Sequence, residues 1–134
     1  MHQVEVKTSS AANYQQNIKA GAHSIAADAP KSVGGEEKAP NPHELLLAAL
    51  GACTSMTMQM YAKRKGWDLK EVIVNVKEEQ PEQTQGGSKI TRDIKVSGNL
   101  PADQVEALKA IAEKCPIHKL LSGANQITTV IASR

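Results

Sequence analysis

Phenylalanine is absent from this 134-residue chain, and one Trp with two Tyr makes up its whole aromatic complement. Aromatic rings bury the most apolar area per residue, so the core must be small and built from aliphatic and thioether side chains. Cysteine is almost as scarce, with only Cys53 and Cys115. There is no C-x-x-C or H-x-x-x-H spacing, so a zinc site assembled from Cys53, Cys115, His118 and His43 has no sequence support, and no metal is expected. No Lys/Arg cluster with interleaved aromatics suggests a nucleic-acid partner, and the net charge of +2 says little else about partners. Residues 2–8 alternate and carry charges where a signal peptide needs an apolar segment. No uninterrupted apolar run approaches the ~18 residues of a membrane span. The expected location is therefore the cytoplasm, without a membrane partner. Two thiols in a reducing compartment point to thiol chemistry or inert burial rather than to a structural disulfide.

What is present is one long apolar helix. The run Asn41-Pro-His-Glu-Leu-Leu-Leu-Ala-Ala-Leu-Gly-Ala-Cys-Thr-Ser-Met-Thr-Met-Gln-Met60 has almost no polar face. Asn41 suits the N-cap, Pro42 the first helical position, and Glu44 the third, from which it can reach back to the cap amide. Lys63-Arg64-Lys65-Gly66 places cations in the last turn and glycine at the stop. A helix over this span is ~35 Å long at ~1.5 Å per residue. Being apolar all round, it must be covered on every side, and a second copy of the chain would supply the missing cover.

The remaining elements group by type. Residues 2–8, 14–19 and 23–27 read as strands, the last two joined by Ala20-Gly21-Ala22 as a hairpin. Ala29 to Pro40 is a loop. Its Gly34-Gly-Glu-Glu-Lys38 lacks the strand–loop–helix context of a phosphate site. Leu69 to Glu79 and Lys89 to Ser97 form a long antiparallel hairpin about a turn at Gln80 to Ser88. Pro101 to Lys114 is an amphipathic helix broken by Pro116, a short helix carries Ile117 to Leu121, and Ile127 to Ala132 is a last strand. The order βββ-α-ββ-αα-β, with strands in antiparallel hairpins and a segregated helix layer, argues an α+β fold. The whole of 1–134 reads as one domain.

Cys53 stands in the middle of the apolar helix, one turn from Ala49, Leu50, Met56 and Thr57, and two turns from Leu46 and Met60. An apolar pocket raises a thiol pKa, so inert burial is as good a reading as reactivity until a cation or donor is found. The helix offers neither nearby. His43 and Glu44 lie ~13–15 Å from Cys53 along the axis and could meet it only through a second, antiparallel copy of the helix. Glu44 also reads as a capping residue, and His43 as an ordinary first-turn histidine. His2 and His23 look like strand-edge surface residues.

At Asn41-Pro-His-Glu-Leu-Leu-Leu-Ala-Ala-Leu-Gly-Ala-Cys-Thr and Lys114-Cys-Pro-Ile-His118 the sequence resembles the OsmC/Ohr family of osmotically induced and organic hydroperoxide resistance proteins, in its OsmC-like branch. The resemblance implies an intertwined homodimer, with antiparallel sheets from both subunits wrapped around two central helices. It implies thiol-dependent reduction of small apolar organic hydroperoxides, with no bound cofactor. Cys53 matches the cysteine that becomes a sulfenic acid, and Cys115 the one that closes a disulfide with it. An external thiol then restores the pair, in some relatives a dihydrolipoyl group on a lipoyl protein. Leu46, Leu50, Met56 and Met60 would line the substrate pocket.

The chain departs from the family pattern twice. His43 stands where the best-studied members have a catalytic glutamate, with Glu44 one position later, and no arginine precedes Arg64. Lys19, Lys31 or Arg92 is expected to stabilise the thiolate instead, although lysine lacks the planar fork of arginine. The alternative function is a dimeric binding protein for small apolar or electrophilic molecules, without turnover. A third is a structural dimer with two inert core cysteines.

Overall fold

The computed structural model describes residues 1–10, 13–79 and 88–133, which fall into two compact units, Met1–Ala48 and Ala49–Arg134. In the first unit, strands β1 (Glu5–Thr8), β2 (Gln16–Ala20) and β3 (His23–Ala27) form an antiparallel sheet in that order. β1 is shorter than the alternation of residues 2–8 suggests. The register sets Val6 opposite Ile18 and Ile18 opposite Ile25, giving an apolar row across the sheet. Within the chain this row gains little cover, since Val6 and Ile25 are exposed.

The loop after β3 is tied down by Asp28, a carboxylate only 2% exposed. Its oxygens accept hydrogen bonds from the Ala29 N–H (2.7 Å) and the Lys38 N–H (3.1 Å), while its own N–H donates to the Pro40 carbonyl (3.1 Å). The Lys38 amide bond is the largest of the influences that hold the Asp28 carboxyl below its usual value, outweighing the opposing effect of burial. One charged side chain thus satisfies backbone donors from both ends of a loop that has no ladder of its own.

α1 (Pro42–Lys65) begins with the capping box expected from Asn41 and Glu44. The Glu44 N–H donates to Asn41 Oδ1 at 2.9 Å, and the Asn41 N–H to Glu44 Oε1 at 3.0 Å. It ends on Lys63, Arg64 and Lys65, and Gly66 takes the left-handed φ of +72° that stops the chain cheaply. By length and composition this helix is apolar enough to cross a membrane. Counting uninterrupted runs missed that, because Ser55 and Gln59 break the run without much lowering its average. Its buried residues, Leu50, Thr54, Met58 and Ala62, form one stripe at four-residue spacing. Leu46, Met56 and Met60 remain exposed, so cover within the chain is one-sided.

In the second unit β4 (Asp68–Glu79) and β5 (Lys89–Asn99) pair antiparallel, with Val72, Val74 and Val76 facing Val96, Ile94 and Arg92. α2 (Ala102–Ala112) and α3 (Pro116–Ser122) follow. The core joins Met58 and Ala62 of α1 to Leu108 and Ala112 of α2, with Trp67, Val72, Ile94 and Val96 packed against it. Gly51 lets α1 pass close to β4, since a Cβ there would stand 3.2 Å from Val76 Cγ2.

The α+β class with antiparallel hairpins holds, and the described elements run βββ-α-ββ-αα. The turn expected at Gln80 to Ser88 lies outside the described residues except for Ser88. The strand expected at Ile127 to Ala132 does not form: residues 123–133 carry no strand, and Ile127, Val130 and Ile131 are about 90% exposed. A strand needs a neighbouring edge for its backbone groups, and among the described residues none pairs with this segment.

Two outcomes follow. Because folded Asp28 titrates below its unfolded counterpart, its stabilisation is complete above the unfolded carboxyl range of ~3.9 and is lost as pH falls through the folded value. The melting-temperature gap between wild type and Asp28→Asn should be widest near neutral pH and narrow in acid; a gap that stays constant into strong acid would refute this. Leu108→Ala, in the fully buried core, should cost ~2–5 kcal/mol in urea unfolding.

Candidate active site

Both cysteines belong to the second unit, and four further side chains gather with them. Cys53 is half-buried on α1, whereas Cys115 has no exposed surface. Pro116 at the first helical position makes Cys115 the N-cap of α3, and the His118 N–H donates to its sulfur at 3.3 Å. The Thr54 hydroxyl lies 3.9 Å from the same sulfur. The two thiols are close enough for each to influence the other's titration.

Arg92 brings the charge. From β5 its guanidinium, 11% exposed, donates from Nη1 to Thr54 Oγ1 (2.9 Å) and to the Ala112 carbonyl (2.9 Å). That carbonyl is the last of α2, at the negative end of the helix dipole, where it also accepts from the Cys115 N–H at 3.5 Å. Nη2 meets His118 Nδ1 at 2.7 Å and Glu113 Oε2 at 3.5 Å. A guanidinium can only donate, so His118 Nδ1 must accept, and the imidazole proton is placed on Nε2. Nε2 faces the same Glu113 oxygen at 3.4 Å. Glu113 is 63% exposed, so it orients the ring more than it stabilises the fold.

This arrangement divides the two thiols. Burial pushes the Cys53 thiol up; the Ile117 N–H opposes it, the neighbouring Cys115 adds to the rise, and Thr57 lowers it least. Burial also pushes Cys115 up, but there the hydrogen bonds from the His118 N–H, Cys53, Thr54 and the Ile117 N–H outweigh it, and the net shift is downward. The negative charge of the pair therefore settles on the buried sulfur, with the Cys53 S–H as one of its donors.

Of the cations expected from sequence, Arg92 stands in the cluster. Lys19 is exposed on β2 and Lys31 is exposed in a short 3-10 turn, both in the first unit. Glu44 is held in the capping box, and His43 is exposed in the first turn of α1. Of the expected pocket residues, Leu50 is buried and lines a cavity of about 210 Å³ shared with Ile90, Arg92 and His118. A larger cavity of about 530 Å³ lies between β5 and α2, walled by Ile94, Val96, Val105 and Leu108, with Arg92 and His118 among its lining. Sequence reading did not give Thr54, Glu113 or His118 a part in the thiol chemistry. His118 carried a signal, since it lies at the third position after an N-cap cysteine, where its amide must face the sulfur. Glu113 and Thr54 carried none, because their roles depend on where Arg92 lands. Among the described residues no cluster of His, Cys, Asp and Glu is disposed to hold a metal ion.

Residues 35–130 match the sequence model of the family described as OsmC-like protein. A protein of Psychrobacter arcticus assigned to osmotic stress induction and detoxification has a similar structure, with a TM-score of 0.78 at 19% identity over 90% of this chain and 88% of its own. An organic hydroperoxide resistance protein OsmC of Legionella pneumophila gives 0.68 at 22% over 92% and 90%. The organic hydroperoxide resistance protein OhrB of Bacillus subtilis gives 0.61 at 23% over 92% and 91%. At these identities the likeness is one of fold. No curated protein matches the chain.

The divided thiols should titrate in two steps. Thiolate absorbance followed against pH should show one proton leaving below the unperturbed cysteine value of ~8.5 and the second above it. Two thiols titrating together at the ordinary value would contradict the geometry.

Proposed function

The chain belongs to the OsmC-like protein family, and on that premise we propose that it is a thiol-dependent peroxidase reducing organic hydroperoxides. The observation that carries the reading is the pairing of an accessible thiol, Cys53, with a buried one, Cys115, whose sulfur faces the His118 N–H and the Thr54 hydroxyl, two residues that Arg92 in turn holds. Cys53 passes its proton to the neighbouring Cys115 sulfur and attacks the terminal peroxide oxygen as the thiolate, and that proton is the one the departing alkoxide then takes. An S–O bond forms, the O–O bond breaks, two electrons pass to the substrate, and the alkoxide takes a proton to leave as an alcohol. The Cys115 thiolate then attacks the Cys53 sulfenic sulfur, forming the disulfide and expelling hydroxide, which is protonated to water. An external dithiol, such as a dihydrolipoyl group on a protein, returns both cysteines to the reduced state by exchange. No bound cofactor takes part.

In this reading the protein works in the cytoplasm as a homodimer. The exposed α1 side chains Leu46, Met56 and Met60 and the unpaired Ile127, Val130 and Ile131 are the apolar surface a second copy would cover. The central helices of the two copies would pack together, wrapped by both sets of sheets. Across that interface His43 and Glu44 can meet Cys53, and Leu46, Leu50, Met56 and Met60 line the path of an apolar hydroperoxide. A second reading, a dimeric binding protein for small apolar or electrophilic molecules without turnover, is favoured by the raised Cys53 thiol and by the cavity of about 530 Å³.

Stopped-flow consumption of cumene hydroperoxide separates the two. Wild type should consume it rapidly and accumulate the Cys53–Cys115 disulfide on mass analysis, whereas Cys53→Ser should fall to the uncatalysed background. Equal, slow consumption by both proteins would overturn the peroxidase reading.

A further inference from the structure

Thr54 is placed between a fixed charge and a sulfur, and its own proton has two destinations. The hydroxyl oxygen accepts from Arg92 Nη1 at 2.9 Å, which leaves it one proton to donate. That proton can go to the Leu50 carbonyl one turn back at 2.7 Å, or toward the Cys115 sulfur at 3.9 Å. Thr54 and Cys115 are both fully buried, so no competing water is needed to satisfy either. A neutral thiol or a disulfide sulfur is a poor acceptor, and the proton then belongs to Leu50. A thiolate is a strong acceptor in a site of low dielectric, and a rotation about one bond brings the proton to it. The Arg92 charge behind the oxygen polarises the hydroxyl and favours that second state.

We propose that Thr54 is a positioning residue for disulfide closure: pinned by Arg92, its hydroxyl turns from the Leu50 carbonyl to the Cys115 sulfur whenever that sulfur is charged, and so holds Cys115 ready to attack oxidised Cys53. In that step the Cys115–Cys53 S–S bond forms, the S–O bond of the Cys53 sulfenic acid breaks, and hydroxide leaves to be protonated to water. The identity of the step rests on the peroxidase reading, while the charge held at Cys115 does not. Closure is proportional to the fraction of Cys115 present as thiolate, tempered by the weaker nucleophilicity of a more stabilised thiolate.

The test uses Thr54→Val, which keeps the shape and loses the hydroxyl, with Thr54→Ser as the rescue. After one equivalent of cumene hydroperoxide, sulfenate at Cys53 is trapped with dimedone and disulfide is followed by mass. Thr54→Val should prolong the sulfenic acid severalfold, in step with the thiolate that Cys115 loses, and Thr54→Ser should restore closure. The first step of the thiolate titration should move to higher pH in Thr54→Val and stay in place in Thr54→Ser. Unchanged closure overturns the proposal. So does slow closure with an unmoved titration, which marks a packing role only. If wild type forms no sulfenate at all, the peroxidase reading falls and the titration alone decides: a raised first step in Thr54→Val supports the relay, an unmoved one overturns it. Should Thr54→Val fail to fold, Arg92→Gln removes the charge behind the hydroxyl and must raise the same titration step, with no shift again overturning the proposal.

Discussion

One guanidinium organises the second unit. Arg92 reaches from β5 to the hydroxyl of Thr54 on α1, the last carbonyl of α2 and the ring of His118 on α3. Each of these groups is wholly or partly withdrawn from water, and each would cost free energy without a partner. A planar fork with several fixed donors can satisfy all of them at once, whereas the three donors of an ammonium diverge from a single atom and lack that spread. The cysteine chemistry depends on this joint. Thr54 and His118, both held by Arg92, also face the Cys115 sulfur, His118 with its N–H and Thr54 with a hydroxyl that can turn to it.

The consequence is a division of labour between the two thiols. Access and charge are separated: the half-buried Cys53 can be reached, but burial favours its neutral form, while Cys115 is sealed and carries the charge. In the proposed reaction the accessible sulfur meets peroxide and the charged one closes the disulfide. The family features that would charge the first thiol are altered in this chain. Position 43 holds histidine, and Glu44 is bound to the Asn41 cap.

The helix that carries Cys53 also shows what the single chain leaves undone. Its buried stripe packs against the hairpin and α2, while Met56 and Met60 on its other sides meet solvent. The apolar row of the first sheet and the extended tail at Ile127 to Ile131 are similarly uncovered. Apolar surface of this kind is what the proposed dimer would bury, and a tail rich in β-branched residues without a strand edge of its own is suited to finding one elsewhere.

The sequence by itself determined everything that is local. The capping box at Asn41 and Glu44, the glycine stop after Lys65, the alternating hairpin strands and the break at Pro116 depend on neighbours within a few residues, and each was legible from spacing and residue type. The family was legible because its motif is a contiguous run on one helix. Where Arg92 stands was decided by tertiary structure alone, because it is set by the register of β5 against β4 and by the packing of α1 and α2 on the same hairpin. Tertiary structure also decided which thiol gives up its proton more readily, since Thr54 and the Arg92 behind it reach Cys115 only through packing. The last strand was misread for the same physical reason: alternation makes a segment able to pair, but an edge must be present before its backbone groups can do so.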